Sequence, residues 1–285
     1  EGESPPIHER RDAYEIPSLV PVPDAPEISD SACDTRYVSK GTYQEGEAVA
    51  RYLRRADEPL RSAPVVQVYP DTLTGKALAR GLRETRAAIG KPAPEDVILE
   101  GEAKLTPELL VGIAKEHPGA ILALWVGEEE LGALEAFADG LRASAVFLSA
   151  PLIGNALSSV PEGVRDVVLL TYPTAFPEDK ARTRVAVERW LQIREIPITN
   201  YELQAKMYFI GWNLAMQIKM MRDEFYRDYF LDITDMMRDQ DYAVGVYERL
   251  SFGPGQRYAS KGCYITRIGA ADEPRLEKVS GWVVH

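Results

Sequence analysis

From Arg36 onward, short apolar runs and amphipathic stretches take turns along the chain. Pro64-Val-Val-Gln-Val-Tyr69 is β-branched and of strand length, and the turn Pro70 to Gly75 follows it. Lys76 to Ile89 then shows helical spacing and is closed by Gly90-Lys-Pro92. Val97 to Leu99, Ala120 to Trp125, Ala145 to Ser149 and Asp166 to Thr171 repeat the strand pattern. Between them, Thr106-Pro-Glu-Leu109 predicts a helix start, with a capping hydroxyl, a first-turn proline and an acid. Glu128 to Leu141 predicts a further helix, and Gln44 to Arg55 an earlier one with Ala48, Ala50 and Leu53 inside it. Near-continuous apolar strands, each followed by an amphipathic helix, predict an α/β fold with a parallel sheet covered on both faces. That open domain is expected over residues 36–176.

The flanks read differently. Residues 1–35 hold Pro5, Pro6, Pro17, Pro21, Pro23 and Pro26, so Ile16 to Pro23 is extended rather than helical. Beyond Pro177, helices are predicted over Lys180 to Arg194 and Tyr201 to Arg222, with helical signal continuing towards Met237. Leu203, Met207, Ile210, Leu214, Ile218 and Met221 recur at three-and-four spacing, which predicts a packed helix face. The last stretch alternates over Ala243 to Phe252 and Gly262 to Ile268, with Gly281 to Val284 at the end. The loop Gly253-Pro-Gly-Gln256 predicts that the first two pair antiparallel. The chain thus divides into an opening segment 1–35, an α/β domain 36–176, and helices with closing strands 177–285.

Charge and composition narrow the chemistry. A net charge of −11 offers no basic face for nucleic acid and favours cationic partners. No apolar run approaches the roughly 20 residues that cross a bilayer, so no membrane insertion is expected. The three histidines, His8, His117 and His285, lack ligand-like spacing, and neither metal nor cofactor is expected. No phosphate-loop or nucleophile-elbow pattern is present, and no catalytic residues are assigned. Cys33 and Cys263 are the two cysteines, and they form either one bridge or two buried thiols. Tyr69, Asp71, Trp125, Glu128, Ser149 and Tyr172 fall at or just beyond the carboxyl ends of predicted strands, where open parallel sheets bind ligands. Each also has a plain structural role open to it as a turn or capping residue. Glu224, Asp228, Asp232, Asp235 and Asp239 share one face if a helix persists, giving either a solvated face or a contact for a cationic protein.

The order of elements resembles the type I periplasmic binding proteins, typified by leucine/isoleucine/valine-binding proteins of ABC transporters. Tyr69, Asp71 and Gly75 in the turn after the first strand are similar to the opening of that family's second lobe. Ile16-Pro17 through the Gln44–Arg55 helix looks like the exit from lobe one. Tyr247 to Phe252, Gly262-Cys-Tyr-Ile265 and Trp282-Val-Val284 resemble the closing strands, which return to lobe one. The resemblance implies a complete second lobe, a partial first lobe, and crossovers near Arg36, Phe176 and Tyr247. It also implies an extracytoplasmic protein that binds an amino-acid-like ligand for a transporter or sensor, and is not an enzyme. Family members carry more chain ahead of the Ile16-Pro17 equivalent, so the sequence reads as a C-terminal portion or as one completed by a partner chain. The other function in view is an interaction module that keeps the fold without the pocket.

Overall fold

The computed structural model describes residues 14, 18–19, 35–137, 143–154, 156–176, 178–179, 181–236, 247–248, 250–252, 257–269 and 274–284. In chain order these form β1 (Ser18–Leu19), β2 (Thr35–Ser39), α1 (Tyr43–Arg55), β3 (Val65–Pro70), α2 (Leu73–Ala88), β4 (Glu95–Leu99) and α3 (Pro107–Glu116). There follow β5 (Ile121–Leu124), a 3-10 helix (Glu128–Phe137), β6 (Ala145–Ser149) and β7 (Val168–Tyr172). Helices α4 (Ala181–Ile193), α5 (Tyr201–Met221) and α6 (Arg227–Met236) come next, then β8 (Tyr258–Ser260), β9 (Gly262–Ile268), β10 (Leu276–Lys278) and β11 (Val283–Val284). The chain forms two units. The larger comprises Gly41–Pro173 with Gly262–His285, and the smaller Glu1–Lys40 with Thr174–Lys261.

The larger unit is built on a sheet of order β10-β9-β7-β6-β5-β3-β4, with β11 also paired to β9. Strands β3 to β7 run parallel, in registers such as Val68↔Leu124 and Leu148↔Leu170. Strand β9 then runs antiparallel to β7, and β10 and β11 antiparallel to β9. The period of two sends Val66 and Val68 to one face and Val65 and Tyr69 to the other. The first face packs with Leu110, Ile113, Leu131 and Leu134 from α3 and the 3-10 helix. The second packs with Val49, Leu53, Leu78 and Leu82 from α1 and α2. Each such side chain contributes roughly 1.5–3 kcal/mol by leaving water. Thr72 and Thr106 cap α2 and α3, accepting from Gly75 N at 3.1 Å and Leu109 N at 3.3 Å.

Helices α1 and α2 approach closely because two glycines remove the side chains between them. A Cβ at Gly46 would collide with the Leu78 carbonyl oxygen, and one at Gly81 with that of Tyr43. This contact fixes α1, and with it the first turn, against the sheet.

The smaller unit carries a parallel sheet of order β1-β2-β8. Tyr37 stacks on Tyr258 with ring centroids 5.6 Å apart. Val38, Phe209, Tyr247, Leu250, Phe252 and Ala259 form its local core. Arg36 on β2 donates to both carboxylate oxygens of Asp235 on α6, at 2.7 and 2.9 Å. Val187, Leu191 and Ala205 bring α4 against α5.

Four expectations are corrected by this architecture. The closing strands from Gly262 do not return with the smaller unit, because β9 hydrogen-bonds to β7 and extends the larger sheet. The third crossover therefore falls at Lys261/Gly262 rather than near Tyr247. No antiparallel pair joins Tyr247–Phe252 to β9 among the described residues. Ser251 N donates to Ala259 O at 3.0 Å, while β9 takes β7, β10 and β11 as partners. Residues 243–246 and 253–256 lie outside the described ones. The Glu128 helix is a 3-10 helix, and the apolar stripe of α5 is only partly covered, with Met221 buried and Ile210 packed on the local core. Ala205, Phe209, Asn213 and Gln217 are its buried line, whereas Leu203, Met207, Leu214 and Ile218 are exposed.

Candidate functional site

The carboxyl edge of the larger sheet is set by the ends of β3, β5, β6 and β7. Tyr69 is buried there, and its hydroxyl accepts from Arg83 Nη2 at 3.3 Å. Arg83 also pairs with Asp96, which accepts from Gln67 Nε2 at 2.6 Å. Gln67 in turn accepts from Trp125 Nε1 at 3.3 Å. Tyr69 and Trp125 are therefore joined through Gln67, Asp96 and Arg83 in one polar network beneath α2. Trp125 is 0% exposed within the core facing α1 and α2, so it holds the layer together and presents nothing to the edge.

The other expected residues divide into edge and interior. Asp71 is exposed, its backbone N donates to Leu99 O at 3.0 Å, and its carboxylate pairs with Lys76. Glu128 is exposed and accepts from Ser159 Oγ at 3.2 Å. Tyr172 is half-buried, opposite Tyr264 in the β7–β9 ladder. Ser149 is fully buried and belongs to a group that the strand pattern alone did not point to.

That group centres on Glu45, in the first turn of α1. Its Oε2 lies 2.8 Å from Ser149 Oγ and 2.5 Å from Thr171 Oγ1. Burial pushes its carboxyl up to about 7, although both hydroxyls work against the shift. Ser149 Oγ accepts from Leu152 N at 3.3 Å and donates to Glu45. Thr171 Oγ1 donates to Glu45 and also lies 3.2 Å from Leu148 O. Cys263 on β9 is buried beside them, and burial first, then the Glu45 charge, raises its thiol pKa. Glu45, Thr171 and Cys263 lie near the three points where the chain enters or leaves the unit, Gly41, Pro173 and Gly262. The signal in the sequence was the line Glu45, Val49, Leu53, which repeats every four residues and puts the acid on the buried stripe.

No protein-family profile matches the sequence, and no curated protein matches it. Solved structures do. A type 1 periplasmic binding protein from Bordetella pertussis Tohama I matches 96% of this chain and 77% of its own, at TM-score 0.66 and 14% identity. A putative branched-chain amino acid ABC transporter protein from Rhodospirillum rubrum matches 94% and 74%, at TM-score 0.70 and 15% identity. A branched-chain amino acid ABC transporter protein from Thermus thermophilus, with bound valine, matches 98% and 75%, at TM-score 0.69 and 12% identity. The chain has the fold of the type I periplasmic binding proteins. At such identities the likeness concerns the fold, with a complete sheet in the larger unit and a partial lobe in the smaller.

Within this periplasmic-binding-protein fold, the acidic face does not form as one stripe. Glu224 lies between α5 and α6, Asp228 and Asp232 are exposed on α6, and Asp239 lies outside the described residues. Asp235 turns to Arg36 instead. Of the five acidic positions, Asp228, Asp232 and Asp235 lie on the described helix Arg227–Met236. Cys263 holds a free thiol in the core of the larger unit, and Cys33, its candidate partner, lies outside the described residues. Among the described residues no His, Cys, Asp and Glu group could hold a metal, and no helix is long and apolar enough to cross a membrane.

Proposed function

We propose that this chain is an extracytoplasmic solute-binding protein that takes a small amino-acid-like or aromatic acid ligand for an ABC-type transporter or sensor. One observation carries this reading: 98% of the chain follows the fold of a transporter protein solved with valine. It likewise follows 98% with a Rhodopseudomonas palustris solute-binding protein solved with benzoate, at TM-score 0.61 and 13% identity. The function is binding rather than catalysis, and the contacts come from the carboxyl edge. Asp71, Glu128 and Tyr172 have side chains open to that edge, while Trp125 and Ser149 serve behind it. Titration of aliphatic amino acids and benzoates against thermal stability tests the proposal. A saturable rise in melting temperature supports it, and none across the panel defeats it.

A second reading has its own observation. The uncharged span Met207–Ile218 of α5 exposes Met207, Trp212, Leu214 and Ile218, which suits an interaction module completed by a protein partner. A stable stoichiometric complex on native purification supports that version, and a monodisperse free monomer opposes it.

A further inference from the structure

Helix α2 ends in a tight reversal. Gly90 takes φ +69°, Gly90 N donates to Ala87 O at 3.0 Å, and Lys91 N donates to Arg86 O at 2.8 Å. This pair of bonds closes the helix and folds Lys91 back over Arg86. Arg86 is 5% exposed, yet no carboxylate meets it. Its guanidinium makes one hydrogen bond among the described residues, from Nε to Pro92 O at 2.8 Å. Burial accordingly lowers its pKa with no acidic neighbour to offset the effect. Buried charges are ordinarily paired, because leaving one unpaired costs several kcal/mol. Among the described residues no carboxylate supplies the counter-charge for Arg86.

A pocket of 400 Å³ opens beside this guanidinium, at the amino ends of β3 and β4. Arg61, Arg86, Lys91 and His117 line it, with Glu95 as the one carboxylate. Glu95 is taken by His117 Nε2 at 3.2 Å. Lys91 Nζ reaches only the Arg61 carbonyl oxygen, at 3.4 Å. Arg61 Nε pairs with Glu58 at 3.0 Å, so Arg86 and Lys91 are the two permanent cations of the lining that meet no carboxylate among the described residues, in a chain whose net charge is −11. The pocket lies at the start of β3, whereas Asp71 follows its end, a separation of about 20 Å along the strand.

We propose that this pocket binds a tetrahedral oxyanion, either inorganic phosphate or the phosphate group of a small phosphomonoester, with Arg86 as the buried fork-shaped donor. Arginine presents paired N–H groups that match two oxygens of a phosphate, and Lys91, on the turn after α2, supplies an ammonium for another. A dianion neutralises the excess charge of the lining, which a single carboxylate does not. The volume exceeds what inorganic phosphate fills and leaves room for a small organic group.

The test is a titration of the purified chain at constant ionic strength, balanced with chloride, using sodium phosphate, glycerol phosphate and succinate. Phosphate or glycerol phosphate should raise the melting temperature saturably, by about 5 °C or more at a hundredfold excess over Kd. A larger response to glycerol phosphate assigns the site to a monoester, and an equal one to the free ion. Arg86→Met should weaken the response at least tenfold, and its melting temperature without anion should equal or exceed that of the parent, since an unpaired buried charge is gone. Lys91→Ala, on a half-buried turn, should weaken binding several-fold with the fold unchanged. The proposal is overturned if no phosphate species acts beyond the chloride control, or if succinate acts as strongly. Full retention of the response in Arg86→Met, or in Lys91→Ala should the first variant not fold, overturns it equally.

Discussion

In the larger unit, α2 turns Leu78 and Leu82 into the core and seats its backbone against α1 through Gly46 and Gly81. In the smaller unit, α5 buries Asn213 and Gln217 and leaves Leu203 and Met207 at 53% and 50% exposure. Helix α5 also buries Ala205, Phe209 and Met221, so it is apolar on both sides and only one side is covered. The difference follows from what each has to cover. Helix α2 lies on a sheet of eight strands, whereas the described residues of the smaller unit form three strands, none longer than five residues. Periodicity identifies an apolar face; the available surface decides whether that face is covered.

The contrast breaks most sharply at the helix contact of the larger unit. Gly81→Val places a branched side chain against the Tyr43 carbonyl, and should cost at least about 4 kcal/mol by denaturant unfolding. Glu45 gives the next largest effect. The fold holds a proton on this acid until about pH 7, while the unfolded chain releases it near its ordinary value of 4.5. Its contribution therefore falls as pH rises from about 4.5 to about 7, by roughly 3 kcal/mol in total. Glu45→Gln should match the parent near pH 4.5 and exceed it at pH 8; equal slopes for the two proteins would remove Glu45 from the account. In the smaller unit, Asp235→Ala removes both of its hydrogen bonds with Arg36 and should cost about 1–3 kcal/mol. Leu214→Lys on the outer face of α5 should change stability by less than about 0.5 kcal/mol. A cost like that of a core leucine would show that this face is covered in solution.

Much of the larger unit was legible because parallel strands buried on both faces read as continuous apolar runs, as in Ala145–Ser149. The antiparallel edge was not, since Gly262–Ile268 pairs with β7 at a distance in sequence that no local turn announces. The candidate residues show the same limit. A residue at a strand end alternates between the covered layer and the open edge, and one position decides which. Trp125 and Ser149 went inward, and Asp71 and Glu128 stayed outside. Glu45 and Arg86 were visible as charges on apolar lines, spaced with Val49 and Leu53 in one case and with Leu78 and Leu82 in the other. What the spacing could not tell was the partner each would meet: two hydroxyls for Glu45, and for Arg86 a carbonyl oxygen beside a pocket.

Solute binding by this fold is tested most directly by calorimetric titration of valine, leucine and benzoate into the Arg86→Met variant, in which the response of the cationic pocket to added acids is weakened. The account predicts saturable, stoichiometric heat for at least one of them, weakened by substituting Asp71, Glu128 or Tyr172 with alanine. No heat from any ligand with a folded protein, or binding untouched by all three substitutions, would contradict it.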